Sequence, residues 1–529
     1  MSNETIVMYD TTLRDGAQFE GISFSVEDKL EITKKLDEFG VAFIEGGWPG
    51  ANPKDDEYFK RAGRLELKNS QLTAFGSTHR PGIKASEDKN LNDLANCSAK
   101  WCCIFGKTWD FQVTEALKIT LEENLDVVRN SVKFLKDSGK RVMFDAEHFF
   151  DGYYANRDYA LKALAAAVEG GAEWLVLCET NGGMLPEDIT AAVEDAKLAF
   201  DVPLGIHCHN DSDCAVANSL AAVDAGATMV QGTINGIGER IGNANLCSVM
   251  ANLVLKKGYD IGIKDLKKLT ALSRYVGEVS NCPAAPNLPY VGETAFAHKG
   301  GMHVSALMKD TRTYEHVSPD SVGNRRRVLI SDMSGKASIN EKLKDFGITV
   351  SESESRAITD RIKDMEAAGY EFEGADASFE LLVRRLKEGT EPPFKVTGFR
   401  LFIDDTGNNS MTSEASIKVV DSQGHEEHTA ADGDGPVNAL DNALRKALSK
   451  LFPVIDNIKL TDYKVRVLDE KSATAASVRV GIRTSDGENS WSTVGVSTNV
   501  IEASLKALVD SMEYAIMKNY GKNNRGNIK

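Results

Sequence analysis

Gly205-Ile206-His207-Cys208-His209-Asn210-Asp211 places two imidazoles two residues apart at the end of an apolar run. Side chains at i and i+2 of a strand project to the same side, so His207 and His209 would converge while Ile206 and Cys208 turn to the opposite layer. That arrangement suits a metal ion, and it equally suits two ordinary polar residues at a strand end. The surrounding chain decides between them.

Outward from this stretch, short β-rich runs alternate with amphipathic segments. The runs are 6–9, 41–45, 72–75, 101–105, 141–145, 174–178, 204–207 and 228–232. Between them, Leu117, Leu121, Leu125, Val128, Val132 and Leu135 keep one helical face apolar. Phe39-Gly40, Glu169-Gly170-Gly171 and Ala225-Gly226 read as helix stops followed directly by a strand. Such regular alternation implies a parallel sheet, and eight strand-helix units in the first half of the chain predict an α/β fold, the (β/α)8 TIM barrel, over an open doubly wound sheet. The polar residues cluster after the strands: Asp10 to Asp15, Glu45 to Trp48, 77–80, Glu147-His148, Glu179 to Asn181, His207 to Asp211 and Asn235 to Asn243. In a barrel these positions form the catalytic face.

Strands one, seven and eight are neighbours once a barrel closes, so Asp15 and Asn243 can complete a site with His207 and His209. Two nitrogens and two oxygens with open positions suit Mn2+, Mg2+, Co2+ or Zn2+, and resemble a Lewis-acid site more than a closed structural zinc. Arg14 precedes the aspartate and could stabilise an oxyanion there, or pair with a barrel carboxylate. Gly236-x-Gly238 lacks the third glycine of a dinucleotide fingerprint and follows the last strand, so it reads as a tight turn that carries Glu239, Arg240 and Asn243 to the rim.

Composition bounds the function. A chain of 529 residues requires more than one core. A formal charge of -16 argues against sequence-independent nucleic-acid binding, and Arg325-Arg326-Arg327 reads as a solvated loop. No apolar run approaches the ~20 residues that cross a bilayer. The N-terminus lacks the basic and apolar regions of a signal peptide, and the eight cysteines lack a CxxC pair, so a cytoplasmic enzyme with reduced thiols is expected.

Three motifs carry a resemblance: Tyr9-Asp10-Thr11-Thr12-Leu13-Arg14-Asp15-Gly16-Ala17-Gln18, His207 to Asp211, and Asn235-Gly236-Ile237-Gly238-Glu239-Arg240-Ile241-Gly242-Asn243. Together they resemble the 2-isopropylmalate, homocitrate and citramalate synthase family, Claisen-condensing members of a metal-dependent TIM-barrel superfamily. Ala295 to His303 is similar to the family's linker segment, with His-Lys-Gly-Gly-Met-His in place of His-x-Ser-Gly-Ile-His, and Tyr314 follows at about the family spacing. Glu45 to Asp55 resembles the long bacterial citramalate-forming branch. The resemblance implies that a 2-keto acid, pyruvate in that branch, condenses with acetyl-CoA to give citramalate for isoleucine biosynthesis. It implies metal ligands Asp15, His207, His209 and Asn243, and Arg14 stabilising oxyanion charge. It further implies Glu147 and His303 as an acid/base pair, Tyr314 orienting water, and Thr180 bonding the keto-acid carboxylate. It makes the enzyme a homodimer in which His303 can act across subunits.

The expected organisation is a barrel over 1–285, helical linker subdomains contributing His303 and Tyr314 over 286–391, and an α+β C-terminal domain over 392–525. From about Ser331 to Glu391 the pattern is helical and charged, with Ile358, Ile362 and Met365 at helical spacing. Beyond it Thr429/Thr493, Ala439/Ala503, Ala443/Ala507 and Leu444/Leu508 match at a constant offset, predicting two β-β-β-α repeats. Asp432 to Leu440 resembles the family's regulatory domain, which implies isoleucine as the end-product effector. An amino-acid sensor whose barrel is only a scaffold is the reading from another class, and such a sensor has no use for the barrel-rim residues.

Overall fold

The computed structural model describes residues 5–329, 336–389, 391–405, 411–468, 476–487 and 489–525. Eight parallel strands close into a barrel in sequence order: β1 (Val7–Asp10), β2 (Phe43–Gly47), β3 (Gln71–Ser77), β4 (Trp101–Lys107), β5 (Arg141–Glu147), β6 (Trp174–Glu179), β7 (Leu204–Cys208) and β8 (Met229–Gly232). β1 pairs with both β2 and β8, which closes the ring.

The strand period of two sorts residues into two layers. Tyr9, Phe43, Phe75, Trp101, Cys103, Met143, Val176 and Met229 form a cluster of their own inside the barrel. Met8, Ile44, Cys102, Ile104, Val142, Phe144, Ile206 and Cys208 belong to the larger core with the surrounding helices. Ile206 and Cys208 therefore do face away from the two imidazoles. Gly40, Gly171 and Gly226 end helices with φ of 104°, 99° and 112°, where a side chain would be strained, and a strand follows each within a few residues.

Two sequence expectations shift. Strands β3, β4 and β5 run two residues further than their apolar runs, because parallel pairing continues through Gly76↔Ile104 and Ser77↔Phe105 and through Gly106↔Ala146 and Lys107↔Glu147. Glu147 thus ends a strand instead of opening a loop. Leu117 does not share a helix with Leu121 to Leu135: it closes a π-turn over Gln112–Leu117, and Lys118 takes φ 59°. The helix starts afresh at Leu121, where Thr120 Oγ1 accepts from Glu123 N at 3.2 Å and the Glu123 carboxylate accepts from Thr120 N at 2.8 Å. This capping box contributes about 1 kcal/mol, enough to set the helix start against the apolar spacing.

The chain divides into two compact units, residues 1–296 with 316–326, and 297–315 with 327–529. The second unit holds the helices Gly301–Leu307, Lys336–Asp345, Glu352–Ala367 and Asp376–Glu388. Ile339, Leu343, Ile358, Ile362, Phe372 and Phe379 form a small core there, with Met365 packed against it. The start of the expected helical region, 331–335, lies outside the described residues. Two antiparallel three-stranded sheets follow, 394–405/411–421/426–433 and 459–467/478–485/490–497, each leading into a helix, Pro436–Leu451 or Val500–Arg525. Ala439, Ala443 and Leu444 share one core with Ala503, Ala507 and Leu508, so the repeat is structural as well as sequential. Among the described residues no helix is long and apolar enough to cross a membrane.

Candidate active site

The site is built at the C-terminal ends of the strands. After β1 the chain folds into a tight turn in which the N–H groups of Arg14, Asp15 and Gly16 all point at the Thr11 carbonyl, at 2.9–3.2 Å. Asp10 braces it, accepting from Thr12 N at 3.0 Å and from Thr12 Oγ1 at 2.8 Å. The turn presents Arg14 and Asp15 inward. From β7, His207 and His209 arrive with their Nε2 atoms 3.4 Å apart. Asp15 Oδ2 lies 3.6 Å from the first and 4.0 Å from the second. The segment after β8 returns through a bridge pairing His209 with Asn243, which sets the Asn243 amide 3.5 Å from His207 Nε2.

Two glycines make that return possible. A Cβ on Gly238 would sit 2.6 Å from Asn243 Oδ1 and 3.2 Å from Asp15 Oδ1, and one on Gly242 would lie 2.0 Å from the Gly236 carbonyl oxygen. The Gly236-x-Gly238 segment is therefore a close approach to the cluster. All four side chains are buried, yet His209 Nδ1 and Asn243 Oδ1 have no hydrogen-bond partner. Buried polar atoms are almost always paired, because an unpaired one costs about 1–3 kcal/mol.

The charges around the cluster are unbalanced. Arg14 donates from Nε to Glu45 at 2.6 Å and from a terminal nitrogen to Asp15 at 2.9 Å, with its guanidinium 3.7 Å above the Phe75 ring. Tyr9 donates to the other Glu45 oxygen at 2.6 Å. Asp15, Glu45 and Asp145 are three buried carboxylates beside this one guanidinium. Burial pushes Asp145 up to about 6, with Glu45 adding to the shift. For Asp15 burial acts in the same direction, but Arg14 and the two imidazoles outweigh it and hold the group below its ordinary value. Burial, followed by the neighbouring His207, lowers His209 to about 3, so its ring is neutral and can act as a ligand. Asp15, His207 and His209 offer ligand atoms within 4.8 Å of one another. A divalent cation fits this set: it offsets the excess of carboxylates and gives the converging His207 Nε2, His209 Nε2 and Asp15 Oδ2, with the unpaired Asn243 Oδ1, a common partner.

The other residues singled out from the sequence lie on other elements. Glu147 ends β5 and forms an ion pair with Lys107, which ends β4. Thr180 follows β6; its hydroxyl accepts from His148 N at 2.9 Å, leaving its own proton to donate. The Thr180 carbonyl accepts from Arg240 at 2.7 Å, and the same guanidinium grips Asp211 at 2.8 and 2.9 Å, tying the loops after β6, β7 and β8 together. Trp48 packs edge-on against Phe75 and Phe105 and donates to Asn90 at 2.7 Å. His148 bonds Asp151, and the His79 ring bonds the Arg80 carbonyl. In the second unit the exposed His303, on the helix Gly301–Leu307, stacks on Tyr314 with ring centres 4.0 Å apart, while His298 faces the buried Glu315 at 3.3 Å.

The HMGL-like family model matches residues 5–276, the homocitrate synthase post-HMGL domain-like model 290–369, and the LeuA allosteric (dimerisation) domain 373–516. The (R)-citramalate synthase of Aquifex aeolicus is 52% identical over 97% of this chain and 98% of its own length. That of Geobacter sulfurreducens is also 52% identical, over the same shares. The chain belongs to the citramalate synthase family. It is thus an enzyme of the acyl-transferring kind, and the barrel carrying the buried cluster is the part of the family fold matched by the HMGL-like model. A solved HMG-CoA lyase from Bacillus subtilis has a similar fold, with a TM-score of 0.46 and 19% identity over 54% of this chain and 97% of that one.

Lys107, Asp145 and Gln231 are not among the residues expected from the sequence, and Arg240 and Asp211, both expected at the rim, were not expected to pair. Asp145 and Gln231 sit inside β-rich runs, where the only signal is a polar residue on an inward strand position, at the period of Cys103 and Met143.

Proposed function

We propose that the chain condenses acetyl-CoA with pyruvate and water to give (R)-citramalate and CoA, in the cytoplasm and in isoleucine biosynthesis. The buried Asp15–His207–His209 cluster, with its two converging Nε2 atoms and the orphaned Asn243 Oδ1, carries this reading, and relatives named (R)-citramalate synthase at 46–52% identity support the substrate. Asp15, His207, His209 and Asn243 would hold Mn2+, Mg2+, Co2+ or Zn2+, which when bound supplies Lewis acidity to the keto-acid carbonyl.

The chain's own residues do the rest. Thr180 donates its hydroxyl proton to the pyruvate carboxylate and orients it. Glu147 and His303 form the acid/base pair that removes a proton from the acetyl-CoA methyl group, and the enolate carbon bonds to C2 of pyruvate. Arg14, fixed by Glu45, Asp15 and Phe75, keeps donors for the alkoxide that develops at that carbon, at no cost in reorganisation. Returning the proton gives the tertiary alcohol; water, oriented by Tyr314, then attacks the thioester carbonyl and CoA leaves as the thiol. The chain works as a homodimer, in which His303 can act within its own subunit or across to the partner, and the C-terminal domain binds isoleucine as feedback effector.

The test is thiol release from acetyl-CoA with pyruvate, 2-ketobutyrate, 2-ketoisovalerate and 2-ketoglutarate in parallel, with Mn2+ or Mg2+, with and without isoleucine. Pyruvate is expected to be preferred and isoleucine to inhibit. Preference for 2-ketoisovalerate makes the chain a 2-isopropylmalate synthase, as a relative in Methanocaldococcus jannaschii at 31% identity is named. No release with any keto acid leaves the sensor reading.

A further inference from the structure

Gln231 lies on β8 with no exposed surface and takes no part in the chemistry described above. Its Oε1 is 2.9 Å from His207 Nδ1, and its Nε2 donates to Asp145 Oδ1 at 3.1 Å. Asp145 sits on β5, across the barrel, and the same oxygen accepts from the Cys103 thiol at 2.9 Å. These contacts have a direction. An ionised carboxylate only accepts hydrogen bonds, so the amide must turn its NH2 to Asp145 and its oxygen to the imidazole. An amide oxygen also only accepts, so His207 Nδ1 must carry the proton. The Nε2 lone pair is then left facing Asp15, His209 and Asn243.

We propose that Gln231 and Asp145 are positioning residues that fix the tautomer and ring orientation of His207 for a divalent cation, with Asp145 acting only through Gln231. This rests on the metal reading of the cluster and adds what selects the ligating nitrogen. The family resemblance implied neither Gln231 nor Asp145; the relay is set by inward positions on β5 and β8 that meet only when the barrel closes.

The full-length protein is titrated with Mn2+, and free Mn2+ is followed by its electron paramagnetic resonance signal. Gln231→Met, close in volume but with only a weakly accepting sulfur and no donor, is expected to weaken Mn2+ affinity about 10- to 100-fold. Asp145→Asn, which offers the amide a donor as well as an acceptor and removes the direction, is expected to cost about 3- to 10-fold in the native background and under about twofold beside Gln231→Met. Such non-additivity marks a relay; two independent structural defects would multiply. Thermal unfolding in EDTA checks that each variant folds, and if Gln231→Met does not, Gln231→Asn, too short to span both partners, takes its place in the cycle. Equal losses from Asp145→Asn in the two backgrounds, or Gln231 variants that bind Mn2+ like the native chain, overturn the relay while the metal reading stands. A native chain that binds no Mn2+, or His207→Ala binding it equally well, overturns the metal reading itself.

Discussion

Two buried polar clusters lie near the C-terminal ends of β1, β2 and β7, and they differ in one respect. Around Asp55 every group has a partner: Lys29 Nζ is 2.5 Å from one oxygen and donates to the Gly46 carbonyl at 2.9 Å, while Trp48 N and Asn52 Nδ2 donate to the other oxygen, both at 3.1 Å. Around Asp15, Asn243 Oδ1 is left over and the His207 and His209 Nε2 atoms face each other at 3.4 Å. The first cluster is complete as folded and fixes the loop after β2. The second is complete only with something added. The two clusters are alike in burial and differ in how fully their hydrogen bonds are saturated.

The comparison breaks most readily at His207. His207→Ala should lower metal-dependent turnover about a thousandfold, measured as thiol release, yet cost no more than about 2 kcal/mol of metal-free stability in urea unfolding. Lys29→Met should do the reverse: it strands the buried Asp55 charge and should cost about 3–5 kcal/mol in the same unfolding measurement, with a far smaller change in kcat per folded molecule. If His207→Ala proves the more destabilising of the two, the distinction fails. Arg14→Gln sharpens the contrast, because Arg14 joins the incomplete cluster to Glu45; kcat should fall about 100- to 1,000-fold, and a change confined to KM would assign Arg14 to binding alone.

The smallest effect belongs to a third, complete cluster. The Asp37 carboxylate accepts from the N–H groups of Lys68, Asn69 and Ser70 at 2.8–3.1 Å. Burial raises its pKa, but these N–H groups outweigh burial and hold it below the ordinary value. A lowered folded-state pKa gives stability that is present above the unfolded value near 4 and lost as pH falls through the folded one. Asp37→Asn should therefore cost about 1–2 kcal/mol at pH 7 and flatten the acid limb of a stability–pH profile; an unchanged limb would remove Asp37 from the account.

The barrel was legible because its strands alternate with amphipathic segments and its punctuating glycines stand where helices stop. The metal-suited set was legible because His207, His209, Asp15 and Asn243 follow strands that become neighbours on closure. Strand ends were not: β4 and β5 continue through Gly106 and Glu147 by backbone pairing, which leaves no apolar trace. Gln231 and Asp145 stayed hidden for a related reason. They are 86 residues apart in sequence, and only the closed ring brings their two strands face to face. The break at Lys118 shows capping prevailing over apolar spacing, where Thr120 and Glu123 were the available signal.

All eight cysteines are free, and Cys102, Cys103, Cys178, Cys208 and Cys247 are buried, all of them in the barrel unit. The second unit has none. A thiol-reactive dye mixed with the protein therefore stains one unit alone, the partly exposed Cys97, Cys214 and Cys282 before the five buried thiols, which react only as the barrel opens. Reaction with the slow set is a clock for barrel opening, blind to anything the C-terminal sheets do.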